Sequence, residues 1–303
     1  MPNLLGIVGA KKRISAFEII NIILLLAICA ACLYPFWNIY IYAFNEGLDS
    51  IVRGPLYFFP RKPTLANFAL AFRQEDIVQA TKISVLRTLV GILASVTCVS
   101  TLAFAMTKRH LPGYKFFSSY FFITFMFSGG LIPTFLTIKE VGLFNSFWVY
   151  IFPVLYSYWF MVLFRSFFDT IPKSVEESAW MDGARPFTVF TRLIFPMSTP
   201  VFAAITLFIG VQHWNDWFTG LFFVKSQDLR PLQTILRLLM SKVNMLERIA
   251  ETGVDMSETD MGGVTPLAVR SAIVVITVTP IIMIYPFLQR YMVKGIMIGA
   301  VKG

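Results

Sequence analysis

The sequence predicts an all-α membrane protein with six transmembrane helices. Three observations lead there. The 303 residues are 56% hydrophobic and only 14% charged, with a mean hydropathy of +0.69, far from the roughly one-quarter charged residues of soluble domains. Apolar runs long enough to cross a bilayer recur along the chain between polar segments. One such segment, residues 171–200, is a charged island flanked by long apolar runs, as suits a part that meets something in water.

In order, Lys11, Lys12 and Arg13 close a short N-terminal segment, residues 1–16, and precede a first span over about 17–44. That run is too long for a signal-peptide core and lacks a small-residue cleavage site, so it predicts a retained helix. Cys29 and Cys32 within it have C-x-x-C spacing, but with no His or further Cys nearby they read as small packing residues. An outer loop over about 45–81 follows, whose prolines at 58–68 make it a poor helix.

The second span, about 82–107, ends in a basic turn of Lys108, Arg109, His110 and Lys115. The third, about 116–138, contains Ser128, Gly129, Gly130 and Pro133, and the fourth, about 146–168, contains Pro153. Helix breakers at membrane depth are tolerated where backbone is buried in protein or lines a wet cavity, so they hint at a pathway. The fifth span covers about 199–223, a long polar outer segment 224–265 follows, and the sixth, about 266–289, leads to a short basic tail.

The island between the fourth and fifth spans carries helix signals. Pro172 is followed by Ser174 with Glu177 three residues on, a capping-box spacing that predicts a short helix starting near Ser174. Small residues line it: Ser178, Ala179, Gly183 and Ala184, with Gly183 suited to a helix C-terminus. Pro186 then suits the start of a second short helix, in which Phe187, Phe190, Leu193 and Ile194 repeat at helical spacing and should pack back onto the membrane domain.

Charge sets the orientation. The N-terminus, the turn at 108–115, the island at 165–198 and the tail hold 13 Lys/Arg against 4 Asp/Glu, whereas the opposite loops hold 10 and 11. An excess of cations on the cytoplasmic side places both termini and the island in the cytoplasm. The formal net charge of +9 is then a matter of topology, and nucleic acid is not an expected partner.

No catalytic signature is present. Gly142, Gly210 and the Gly262-Gly263 pair lack the G-x-x-x-x-G-K-[ST] continuation that cradles phosphates, and neither a G-x-S-x-G nor an H-E-x-x-H pattern occurs. No metal or cofactor site is expected on this chain.

Glu177-Ser178-Ala179, then Asp182-Gly183-Ala184, then Ile194 and Pro196, resembles the EAA loop of binding-protein-dependent ABC importer permeases, with Ser178 standing where the family usually has alanine. Residues 58–303 also resemble the MalG-like sugar permeases through GGLIPTF at 129–135, WNDWF at 214–218, PLQTILR at 231–237 and YPFLQRYMVKGIMIGAVKG at 285–303; the ending is most similar to the LplC/YtcP-type subgroup. The resemblance implies a type I ABC importer permease (MetI-like) fold with a cytoplasmic coupling helix in the bacterial cell membrane, within a permease domain at 17–303. Its coupling residues would be Glu176, Glu177, Ser178, Ala179, Asp182, Gly183, Ala184 and Pro196. It implies three kinds of partner besides membrane lipid: a second homologous permease, two ABC ATPase subunits that bind ATP and Mg, and an extracytoplasmic sugar-binding protein. The expected cargo is an oligosaccharide.

Polar residues inside spans need a reason. Trp214, Asn215, Asp216 and Trp217 near the outer end of the fifth span, Gly129 and Gly130 in the third, and Arg87 and Arg270 in the second and sixth are the candidate pathway residues. Indole faces suit sugar C–H groups, and Asn and Asp suit hydroxyls; equally, the tryptophans suit a membrane-interface belt with Asp216 paired to an arginine. An arginine facing the pathway would suit a uronate. Two other functions stand beside this one: a permease for another small solute, and a membrane enzyme acting on lipid-linked sugars.

Overall fold

The computed structural model describes residues 16–74, 77–251 and 265–300, and its internal contacts divide it into two compact units. Every regular element among the described residues is helical, with one isolated extended bridge, Asn45 to Pro63.

The first unit comprises residues 1–67 and 260–272. Helix α1 (Ala16–Phe44) has 29 residues, which at about 1.5 Å each exceeds a ~30 Å hydrocarbon core. Its side chains are exposed along most of that length, Cys29 and Cys32 included, so these cysteines do not pack within this chain as the sequence reading expects. Beyond α1 the predicted outer loop is ordered. It contains α2 (Gly47–Val52), and α3 (Ala66–Gln74) begins at its far end. The prolines leave 53–65 non-helical, and side chains take over the work of a ladder. The Asn67 amide donates to the carbonyls of Ala43 and Asn45 at 2.9 and 2.8 Å, and the Asn45 side chain accepts from Lys62 N–H at 2.8 Å.

Buried Asp49 accepts from Arg61 Nε at 2.9 Å, while the same guanidinium donates to the Gly54 carbonyl at 2.6 Å. Burial works against the charged carboxylate, but Arg61 and Asn45 outweigh it and hold Asp49 below the usual carboxylate range. The first turns of α14 (Pro266–Ala300) also belong to this unit, and Gly47 lies so near Thr265 that a β-carbon would come within 2.6 Å of its backbone nitrogen.

The second unit, residues 68–259 and 273–303, is built around α4 (Ile77–Thr107). Buried positions along α4 recur every three or four residues, at Ala80, Ser84, Arg87, Gly91, Ser95, Val99 and Ala103. Most are small, which lets a neighbouring helix approach closely where lipid supplies no hydrophobic drive. Against α4 pack α7 (Tyr158–Phe168) and α11 (Thr199–Asn215). Their shared core is Val99, Ala103, Met161, Phe164, Phe168, Phe202, Ile205 and Ile209, which continues into Val189, Phe190 and Ile194 of the 171–200 segment.

Three predicted spans are not continuous helices. The third is α5 (Tyr114–Met126) and α6 (Leu131–Glu140), bent by 119° where Ser128, Gly129 and Gly130 interrupt. Gly130 stands before α6 at φ +81°, a conformation that favours glycine. The fourth begins as 3₁₀ turns at Phe147–Tyr150 and Phe152–Val154, bent by 51° from α7. The fifth ends at Asn215; after Asp216 and Trp217, α12 (Phe218–Phe223) is a separate short helix. Among the described residues, two helices are long and apolar enough to cross a membrane alone, and the three bent pairs raise that to five. The predicted sixth span falls within the 35 residues of α14.

The predicted polar stretch 224–265 contains a helix that the sequence reading does not specify. Its first half holds α13 (Leu232–Glu251), which packs against α4 and α12. The remainder, 252–264, lies outside the described residues, as does the charged N-terminal segment.

Candidate functional site

The 171–200 segment is an elbow of two short helices. The first, α8 (Lys173–Met181), starts near Ser174 as expected, but its N-cap is Pro172, two residues before the serine of the capping box, and there is no side-chain cap bond. Ser174 is therefore inside the helix and Glu177 does not cap it. The helix end follows the sequence more closely. Gly183 is left-handed at φ +75°; its N–H donates to the Trp180 carbonyl at 3.0 Å, and Ala184 N–H donates to the Ala179 carbonyl at 2.9 Å. This is the paired bonding of a Schellman cap.

A second helix then runs as α9 (Pro186–Val189), a π turn at Phe190–Ile194 and α10 (Phe195–Met197). Phe190, Leu193 and Ile194 pack onto the core with Val189, but Phe187 points outward at 72% exposure. The π turn shifts the register by adding a residue to the helical repeat. Pro196 sits exposed in α10, and the chain bends by 86° at buried Ser198 into α11.

The elbow thus has two faces. Ala179 and Ala184 pack inward, whereas Glu177, Ser178, Met181, Asp182 and Gly183 are exposed, Met181 at 88%. Nothing lies within 4 Å of the place a Gly183 β-carbon would occupy.

Glu176 turns the other way. It pairs with Lys108, the residue after the C-terminus of α4, and the ammonium sits 4.6 Å from the Phe104 ring centroid and 5.3 Å from that of Trp180. The sequence reading grouped Glu176 with the exposed coupling residues and missed Lys108. The available signal was topological: a basic turn and an acidic pair on one side of the membrane. A cleft of about 590 Å³ opens beside this clamp, bordered by Arg109, Lys173 and Glu177.

At the other end of α4 the candidate pathway residues form a knot. Arg87 is 1% exposed; its guanidinium donates to the Asp216 carboxylate at 2.6 Å and to the Asp216 carbonyl at 2.9 Å, and lies 4.2 Å from the Tyr150 ring centroid. The second Asp216 oxygen accepts from Thr219 N–H, in the first turn of α12, at 3.1 Å. Asp216 thereby satisfies backbone freed by the break between α11 and α12.

The tryptophans are also engaged. Trp214 Nε1 donates to the Thr277 carbonyl at 3.1 Å, and Arg237 of α13 lies 4.9 Å from the Trp217 ring centroid. Asn215 accepts from Gln233 at 3.2 Å. Gly129 borders a small apolar recess with Pro133 and Thr134. Arg270 is half-buried on α14 in the first unit, and no carboxylate among the described residues pairs with it.

Between knot and clamp lies a cavity of about 440 Å³. Ser95, His213 and Gln212 line it together with Tyr156, Tyr158 and Phe125, and none of its lining residues carries a fixed charge.

Comparison with known proteins places this architecture. The profile of the family described as "Binding-protein-dependent transport system inner membrane component" matches residues 100–298. Protein LplC of Bacillus subtilis (strain 168) is 32% identical over 289 residues, covering 95% of each chain. The polygalacturonan/rhamnogalacturonan transport system permease protein YtcP of the same organism is 30% identical over 296 residues, covering 97% of this chain and 100% of its own. Among solved structures, a chain of a bacterial ABC transporter involved in the import of the acidic polysaccharide alginate superposes with a TM-score of 0.80 at 23% identity, over 94% of this chain and 99% of that one.

Proposed function

This chain belongs to the family of binding-protein-dependent transport system inner membrane components, and from that premise we propose that it is one permease subunit of an ATP-binding-cassette importer for oligosaccharides. It is a transport subunit, and ATP hydrolysis belongs to a separate subunit. A second, homologous permease completes the pathway, two ATPases dock on the elbows, and an extracytoplasmic sugar-binding protein delivers the cargo. Both termini and the elbow face the cytoplasm, where the short basic turns lie.

The observation that carries this reading is the two-faced elbow. Its inner face is built into the core of α4, α7 and α11, and its outer face presents Glu177, Ser178, Met181 and Gly183. A partner gripping the outer face moves the helix core with it. In this reading, ATP closes the ATPase pair, the elbows move together and the cavity changes side, a rigid-body alternation of access.

Reconstitution in proteoliposomes with the three partner types tests it. Uptake of a labelled oligogalacturonide should require ATP, the binding protein and this chain together. Uptake that proceeds without ATP or without this chain, or accumulation of a non-carbohydrate solute alone, would refute it.

A further inference from the structure

The cavity between clamp and knot holds the feature that transport chemistry elsewhere in the chain does not use. Ser95 is 3% exposed, and its hydroxyl has no hydrogen-bond partner. In a helix a serine hydroxyl ordinarily turns back to the carbonyl one turn earlier, as Thr88 does to Ser84 at 2.7 Å in this same helix. Ser95 does not, and it lines the cavity. A buried hydroxyl without a partner is costly, and this one borders a cavity where a ligand hydroxyl can supply the missing bond.

His213 stands beside it. The residue is 4% exposed and lines the same cavity, and its ring lies so close to Gly91 that a β-carbon there would overlap Nε2, Cε1 and Cδ2. Gly91 is one turn before Ser95 on α4, so the glycine admits the imidazole on the helix face that carries the serine, and His213 and Ser95 both border the cavity. Gln212 adds an amide from the neighbouring position on α11. On another wall Phe125 and Tyr158 stack with centroids 5.1 Å apart, a broad aromatic surface. Tyr156 supplies a hydroxyl that, among the described residues, donates only to the Met161 sulfur at 3.8 Å, a weak acceptor.

We propose that this cavity is a subsite within this chain for one pyranose ring of the passing oligosaccharide, held by hydrogen bonds from its hydroxyls to Ser95, Gln212 and His213 and by stacking on the Phe125–Tyr158 pair. The inference rests on the oligosaccharide reading above. Hydroxyls both donate and accept, which suits a mixed set of hydroxyl, amide and imidazole. The uncharged lining gives a uronate carboxylate no cation here, so the subsite reads ring and hydroxyls and does not separate acidic from neutral sugars.

Substituted-cysteine protection tests this in the assembled importer. Ser95→Cys is placed in a background with Cys29, Cys32 and Cys98 changed to Ala, and its labelling by a small methanethiosulfonate cation is followed in proteoliposomes during transport. The probes are a trigalacturonide and a neutral galactotriose, each presented with the binding protein. Both probes should slow labelling at least fivefold and to similar degrees. Gly91→Ala, which displaces His213, should abolish the protection while the complex still assembles. Protection by the acidic probe alone overturns the claim that charge goes unread. Absence of protection while uptake continues overturns the subsite itself. If the unsubstituted importer takes up neither probe yet accumulates another class of solute, the oligosaccharide reading fails first, and the subsite with it.

Discussion

Arg87 illustrates how a charge is kept at bilayer depth. Its guanidinium has a carboxylate, a carbonyl and an aromatic face within reach, all supplied by elements that break at the end of the unit away from the elbow. Such a pair is a poor candidate for gripping cargo, because removing one partner strands the other. We expect Arg87→Gln to lose about 3–5 kcal/mol, seen as loss of assembled complex and as equal loss of acidic and neutral oligosaccharide uptake. Selective loss of the acidic cargo would show that the arginine faces the pathway.

Asp49 makes a second residue-level case. Its partners lower its pKa in the folded chain, so their stabilisation is complete above the ordinary value of 3.8 and drains away as pH falls through the lower folded value. In a variant with Trp37 as sole tryptophan, fluorescence should be constant from pH 7 to about pH 4 and change only below it. A transition already present at pH 5 to 6 would contradict the pairing.

At the scale of elements, the clamp joins the elbow to α4. Lys108→Met keeps an apolar stem over Phe104 and Trp180 but removes the charge opposite Glu176. The expected result is an assembled complex whose ATPase stimulation by loaded binding protein falls about tenfold, equivalent to ~1.4 kcal/mol of coupling. Exchange of the two charges, Lys108→Glu with Glu176→Lys, should restore part of it. Failure of the single variant to change stimulation would reduce the pair to a surface contact.

Gly183 is the element's other end. Alanine there costs about 1–2 kcal/mol for the left-handed backbone alone, whereas leucine adds a side chain to the exposed face. Gly183→Ala should retain most transport and Gly183→Leu almost none, with both membrane domains folded by circular dichroism. Normal uptake by the leucine variant would remove Gly183 from the contact.

The elements were unevenly legible in the sequence. Small residues and a glycine at helical spacing announced the end of α8, because left-handed backbone has a residue signature. Its start near Ser174 was legible, but not its cap: Ser174 and Glu177 have capping-box spacing, yet Pro172 already stands at the N-cap, which leaves the serine inside the helix. Phe187 was misplaced because the π turn that changes its register has no such signature. Two of the three broken spans carried their breakers in plain view, Gly129 and Gly130 in the third and Pro153 in the fourth, yet the bend angles depend on tertiary packing; the fifth ends at Asn215 with no such residue at the break. The Arg87–Asp216 pair was readable as one of two arginine choices, since Asp216 is the acidic residue available in the later spans. The Lys108–Glu176 pair and the Ser95–His213 cavity join residues far apart in sequence, and no local pattern encodes them.

At the scale of the molecule, α4 links the two ends of the second unit: the clamp holds its last turn, Ser95 borders the cavity, Gly91 admits the His213 ring, and Arg87 ties down the opposite end. Movement at the elbow therefore reaches the cavity through one continuous helix and its packed partners. All of this depends on the outer face of the elbow meeting the ATPase. A photoreactive amino acid at Met181, which is 88% exposed and flanks Gly183, tests that contact directly in cells expressing the whole importer. Irradiation should yield one dominant adduct between this chain and the ATPase subunit, weakened when ATP binding is blocked. Adducts with lipid or with the extracytoplasmic binding protein, and none with the ATPase, would contradict both the docking face and the orientation assigned to it.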